Sequence, residues 1–127
     1  MNRREARDFV MKAIFQIEVQ NSFKTYNLNR ISEGVKLGSQ KEYAFNLLDK
    51  ICSNIETIDS TINAHSSGWD TKRMAKTDLA VARVAVGEIL YIDDIPKAVS
   101  INEAVNLAKI YGTDNSSKYI NGILSKL

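Results

Sequence analysis

Ala6, Phe9, Val10, Ala13, Ile14 and Ile17 follow one another at helical intervals. At ~100° per residue they share one face of a first helix. The polar stretch "NSFKTYN" ends that pattern, and a short helix is expected around 28–36, with Gly34 and Gly38 near its end. "SQKE" at 39–42 has the S-x-x-E spacing of a capping box, in which each side chain satisfies the other residue's free backbone N–H. The helix it opens carries Ala44, Leu47, Leu48, Ile51, Ile55, Ile58 and Ile62 on a nearly heptad stripe, with a break expected near Glu56–Thr57. "HSSGWD" is the clearest internal boundary. Beyond it, Thr77 or Asp78 starts "DLAVARVAVGEILYI", which is apolar nearly all round. "DDIP" ends that helix, because a residue before proline avoids the helical region. "SINE" at 100–103 reads as a second capping box opening "INEAVNLAKIY", and Gly112 closes it as the residue just past the helix. "TDNSS" restarts a last helix, "KYINGILSKL". No segment sustains strand alternation. The pattern predicts an all-α fold of about six or seven helices in two small packed bundles. A single domain over 1–127 divides into helical subdomains of about 1–67 and 68–127, hinged near Gly68.

A chain of 127 residues is long enough for one continuous core. The formal net charge is only +2, so an argument for nucleic acid must rest on where the charge sits. Residues 1–66 carry nine basic and eight acidic side chains, and residues 67–127 carry eight and seven. The halves therefore do not differ, but the first turns do: Arg3, Arg4, Arg7 and Lys12 stand against Glu5 and Asp8. Cys52 is the only cysteine, which excludes an intrachain disulfide and fits a reducing compartment. No apolar run approaches the roughly 18 residues of a membrane span, and no signal peptide precedes the charged start. A cytoplasmic protein without membrane association is expected.

Little points to catalysis. His65 is the only histidine and Cys52 stands alone, so no zinc spacing exists, and neither a metal nor a cofactor is expected. No glycine-rich phosphate cradle is present. Asp93–Asp94 reads as a solvated turn. Arg83 and Glu88 interrupt an otherwise apolar helix, and charges in such a place are expected to be paired inside, with Glu103 as a candidate partner. Asn102 and Asn121 are read in the same way, so Arg83, Glu88, Asn102, Glu103 and Asn121 form an expected structural polar network. Gly122 inside the last helix costs ~1 kcal/mol relative to Ala and suggests close helix packing.

On a helical wheel, Arg3 and Arg7 lie at one edge of the apolar arc, with Met11, Arg4 and Phe15 just beyond it. Guanidinium groups bind phosphate bidentately, and Arg or Phe can stack on an unpaired base. The bland alternative is a solvated helix end whose charge Glu5 and Asp8 offset. In "KIYGTDNSSKYINGIL", Tyr111 and Tyr119 bracket a polar, glycine-containing loop beside Lys109 and Lys118. That composition suits a single-strand contact. The alternative is two packed rings with wet hydroxyls.

"DIPKAVSINEAVNLAKIYGTDNSSKYINGILSKL" resembles the C-terminal signature of the NusB family of bacterial transcription antitermination factors. The matching positions are Pro96, Ile101 to Ala104, Leu107 to Lys109, Tyr111–Gly112 and Lys118 to Leu124. "DLAVARVAVGEIL", with its Arg83 and Glu88, resembles the family's preceding helix, and "RREARDFVMKAIFQIE" its opening helix. Residues 20–70 match only in helical pattern.

The resemblance implies an all-helical, non-enzymatic protein of the bacterial cytoplasm. It implies binding of boxA, a short single-stranded RNA element of ribosomal RNA leader transcripts. It also implies action with NusE, a small-subunit ribosomal protein, in a complex with NusA, NusG and RNA polymerase. The implied RNA residues are Arg3, Arg4, Arg7, Phe15, Tyr111, Asn115, Lys118 and Tyr119. The implied NusE surface lies on the helix that begins near Asp78. Asn2 and Glu5 make the N-terminus less basic than in some relatives, which implies low RNA affinity without NusE. A NusB-like domain also heads some RNA cytosine methyltransferases, but a chain ending at Leu127 leaves no room for a methyl-donor fold. The remaining alternative is a helical adaptor or homodimer without RNA contact.

Overall fold

The computed structural model describes residues 1–67 and 70–127, so the expected hinge at Gly68 lies outside the described residues. Seven α-helices occur among the described residues: α1 (Arg3–Gln20), α2 (Leu28–Ile31), α3 (Lys41–Ser53), α4 (Ile55–His65), α5 (Lys76–Tyr91), α6 (Lys97–Tyr111) and α7 (Ser116–Leu124). No strand occurs among them. None of these helices is long and apolar enough to cross a membrane.

The apolar character of α5 follows from its position. It packs against α1, α3, α4, α6 and α7, so it touches helices on both sides of the "HSSGWD" boundary. Every residue from Leu79 to Glu88 is buried, and a helix covered on all sides needs apolar residues on all sides. Gly87 makes the closest approach possible: a Cβ there would lie 2.5 Å from Cγ1 of Ile51 on α3. Gly122, the glycine expected to serve packing, has nothing within 4 Å of its Cβ position. The close approach belongs to Gly87 instead.

Helix starts differ from the sequence expectation in an instructive way. The capping box that exists is Asn2–Glu5: Asn2 Oδ1 accepts from the Glu5 N–H at 2.8 Å, and Glu5 Oε1 accepts from the Asn2 N–H at 2.9 Å. These two residues start α1. "SQKE" forms no box, because a 3₁₀ turn over Gly38–Gln40 runs directly into α3 and leaves no extended cap. "SINE" forms none either. Helix α6 begins after Pro96, and Ser100 lies inside it, buried, donating to Glu88 Oε1 at 2.7 Å. An ionised carboxylate is the stronger acceptor and takes the hydroxyl. The break in the long stripe falls at Asn54, two residues before the expected place, where the side-chain amide turns back to the Lys50 carbonyl at 2.8 Å. Such local bonds compete with the helix ladder. Helix α2 is only four residues long.

The buried charges form two networks, and Glu103 belongs to neither. Residues 83 and 88 are five apart on one helix, so they point to different sides. Glu88 accepts two bonds from Arg7 at 2.9 Å, one from Ser100, and one from the Tyr43 hydroxyl. Burial first, and then Glu88, push the Tyr43 hydroxyl pKa up. Arg83 meets Asp59 on α4 at 2.8 and 2.9 Å and Glu18 on α1 at 3.3 Å. Lys76 adds a second cation to Glu18 at 3.1 Å. Asn102 and Asn121 are exposed rather than part of either network.

Burial works to raise the Glu18 carboxyl, but Lys76 and Arg83 outweigh it and hold the group below its ordinary 4.5. A depressed carboxyl stabilises above its unfolded pKa, and that stabilisation is lost as pH falls through the folded value. Glu18→Gln is therefore expected to cost about 1 kcal/mol at pH 7 and less at about pH 3, as the protein's carboxylates take up protons. Urea unfolding at the two pH values checks this. Equal losses at both would show that the charge is not what stabilises.

Candidate nucleic-acid interface

Arg4, Asp8, Lys12 and Phe15 recur at helical spacing along the outer edge of α1, so they form one stripe. That stripe faces the C-terminal half of α6. Arg4 makes a bidentate pair with Glu103, with both bonds at 3.1 Å. The Tyr111 hydroxyl donates to Asp8 at 2.5 Å. Lys12 bonds Asp8 at 3.0 Å and lies 5.4 Å from the Tyr111 ring centroid. Asp8, and after it Tyr111, hold the Lys12 ammonium pKa above its usual value.

Three clefts lie along this contact. Arg4, Arg7, Glu103, Asn106, Lys109 and Ile110 line one of about 280 Å³. Met11, Lys12, Phe15, Thr77 and Tyr111 line the next, about 200 Å³. Phe15 and Tyr111 are each 37% exposed, enough to offer a ring face to a base. From Thr77 the surface passes to Asp78 and into the largest cleft, about 490 Å³, where Arg73, Thr113, Asn115, Ser116 and Tyr119 also line the wall. The α1 edge and the 111–119 loop therefore form one continuous track.

Gly112 shapes the turn between α6 and α7. Its φ of −95° is accessible to any residue, so it does not need glycine for a left-handed cap. It needs glycine for space: a Cβ would lie 2.4 Å from the Ser116 side chain and 2.7 Å from the Ala108 carbonyl. Tyr119 is half-buried. Burial holds its hydroxyl above the usual titration range, with Ser66 opposing and the Asp78 carboxylate adding.

The three arginines separate. Arg4 lies on the track. Arg3 points to the opposite flank, where it donates to Gln40 Oε1 at 2.7 Å and stacks 4.0 Å from the Tyr43 ring centroid. Arg7 is 4% exposed and its guanidinium is committed to Glu88; it reaches the floor of the Arg4 cleft but presents no free charge there, which corrects its reading as a surface RNA contact. The reason is that the buried arc of α1 is wider than its run of apolar residues and takes in Met11 and Arg7. Lys118 is exposed on the first turn of α7 but lines none of the three clefts.

Sequence reasoning missed Lys12, Asp8, Glu103, Thr77 and Arg73 as parts of this surface. The i, i+4 spacing of Arg4, Asp8 and Lys12 is a signal for the two on α1; the sequence carries none for Glu103, Thr77 or Arg73. Cys52 is buried, and burial pushes its thiol up to about 12, which leaves it unreactive at neutral pH.

Residues 4–127 match the sequence model of the NusB family. The transcription antitermination protein NusB of Alkaliphilus oremlandii is 44% identical over 130 residues, covering 99% of this chain and 92% of its own. That of Acetivibrio thermocellus is 41% identical, covering 100% and 88%. Among solved structures, T. maritima NusB superposes with a TM-score of 0.88 at 36% identity, covering 99% of this chain and 89% of that one. A crystal structure of antitermination factors NusB and NusE in complex with dsRNA gives 0.82 at 25% identity, covering 98% and 93%.

Proposed function

The chain belongs to the NusB family, and from that membership we propose a non-catalytic antitermination factor that binds single-stranded boxA RNA of ribosomal RNA leader transcripts. It acts together with NusE and joins the complex of RNA polymerase, NusA and NusG in the bacterial cytoplasm. The observation that carries the RNA part of this reading is the Tyr111–Asp8 contact. It joins the aromatic α6–α7 loop to the basic edge of α1, so two weak sequence signals become one surface. Arg4, Lys12 and Lys109 supply charge to phosphates, and Phe15 and Tyr111 supply stacking faces. Asn115 and Tyr119 line the far cleft, with Lys118 and Arg3 at the periphery. NusE docks at the start of α5, where Asp78 shares the largest cleft with Tyr119, so RNA and protein partner meet at one place. A solved structure of antitermination factors NusB and NusE in complex with dsRNA, at 25% identity to this chain, supports NusE and RNA as partners.

One observation favours a second reading. Ile110 is 68% exposed beside Tyr111, and an apolar residue there suits a protein partner, a second copy of this chain included. The two readings separate in a titration of labelled boxA RNA, with and without NusE, at several salt concentrations. RNA binding is expected to be salt-sensitive and strengthened by NusE. Arg4→Ala/Lys12→Ala should flatten the slope of log affinity against log salt by about 1.4, at roughly 0.7 for each phosphate that is no longer neutralised. Folded protein that binds no boxA RNA in either condition would leave the adaptor reading standing.

A further inference from the structure

Both cations at the centre of the track already have anions. Arg4 is held by two bonds to Glu103, and Lys12 is held by Asp8, which also receives the Tyr111 hydroxyl. These carboxylates sit where RNA phosphate oxygens would sit. The Arg4 and Lys12 side chains are 69% and 60% exposed, while Glu103 and Asp8 are 19% and 27% exposed, so each cation is free to leave its carboxylate for a phosphate while the carboxylate stays in place. We infer that Asp8 and Glu103 are built-in competing anions that set a charge threshold for RNA on this surface.

The inference rests on the RNA reading above. A phosphate chain that reaches Arg4 and Lys12 must draw both cations from their carboxylates and then lie beside those carboxylates. RNA that only offers charge has nothing to offset that penalty, because non-specific binding is almost wholly electrostatic. RNA that also stacks on Phe15 and Tyr111 gains an attraction the carboxylates do not touch. The threshold therefore falls on all single strands alike, and polyanions held by charge alone are left weakest. Each carboxylate left without its cation also takes up a counterion, which lowers the net salt dependence of binding.

Asp8→Asn/Glu103→Gln keeps the shape and one acceptor oxygen of each side chain while removing both charges. Glu33→Gln/Glu56→Gln makes the same change in net charge on exposed residues outside the elements that build the track. Labelled boxA-type RNA and oligouridylate of equal length are titrated against wild type and both variants over a range of salt. The first variant is expected to bind both RNAs about three- to tenfold tighter, with a slope steeper by up to about 1.4. The second should change affinity by less than about twofold. Affinity equal to wild type, weaker than wild type, or equal to that of the control variant would mean that the carboxylates only position Arg4 and Lys12, and would overturn the inference. Salt elution from immobilised heparin decides the point without RNA. Later elution of Asp8→Asn/Glu103→Gln than of the control supports the threshold, and co-elution overturns it. Wild type that binds neither RNA while this heparin shift persists would instead count against the RNA reading alone.

Discussion

Glu88→Ala is expected to lower stability by about 3–5 kcal/mol, the range for breaking a buried ion pair by removing one partner. Glu88 is 1% exposed and accepts bonds that reach it from α1, α3 and α6. Burial works against the Arg7 charge, and Glu88 more than offsets it, so the guanidinium titrates above its usual value. Without Glu88, Arg7 is left as an uncompensated buried cation. The Tyr43 and Ser100 hydroxyls lose their acceptor as well, and buried unsatisfied donors carry their own desolvation cost. Set against the roughly 5–15 kcal/mol that a whole domain commands, this single change brings the protein close to unfolding. Urea denaturation at neutral pH measures it. Arg7→Met/Glu88→Leu should recover much of the loss, because a well-packed apolar pair is often no less stable than a buried salt bridge. A Glu88→Ala loss under about 1 kcal/mol would show that the carboxylate is not the tie between these helices.

The second large effect is expected at Gly87. Gly87→Ala places a methyl carbon 2.5 Å from Ile51 Cγ1 and 3.2 Å from its Cδ1. Ile51 is fully buried on α3 and β-branched, so it has little freedom to step aside. Forcing an extra carbon into a filled interior costs about 1–3 kcal/mol, which outweighs the ~1 kcal/mol that alanine gains over glycine in a helix. Gly87→Ala/Ile51→Ala separates the two. If the clash is the cause, the double variant is more stable than the sum of the single losses predicts. Strict additivity would place the cost elsewhere. Gly122→Ala is the internal control, since open space surrounds that position.

The fold was legible because helical period and turn chemistry agree over most of the chain. The long apolar run of α5 announced a helix covered on every side, and it is one. Local capping was less legible. The S-x-x-E at 39–42 gave way to a 3₁₀ turn and the one at 100–103 to the tertiary bond from Ser100 to Glu88, while the working box at Asn2–Glu5 lay in a stretch read for its charge. Gly87 and Gly122 look alike in sequence, each a glycine inside a helix. Only the neighbouring helix distinguishes them. Within the candidate site, Phe15 and Tyr111 were readable as exposed aromatics, and the structure brings them to one cleft. Arg7 was not readable, because a wheel drawn from apolar residues alone understates how far the buried arc extends. The role of Glu103 was hidden for a related reason. Its partner lies ninety-nine positions away, and no spacing rule reaches that far.

That distance has a consequence for when the surface comes into being. Tyr111 reaches back across 103 residues to Asp8, and Glu88 across 81 to Arg7. Helix α1 thus carries half of a site whose other half is made much later in the chain. A nascent chain released before α6 is complete can already pack α1 against α3 and α5 and pair Arg7 with Glu88, but its Arg4 and Asp8 still lack Glu103 and Tyr111. Pairings this remote in sequence form late and cost loop entropy before they return anything. The candidate surface therefore exists only once α6 has been made and has folded back against α1.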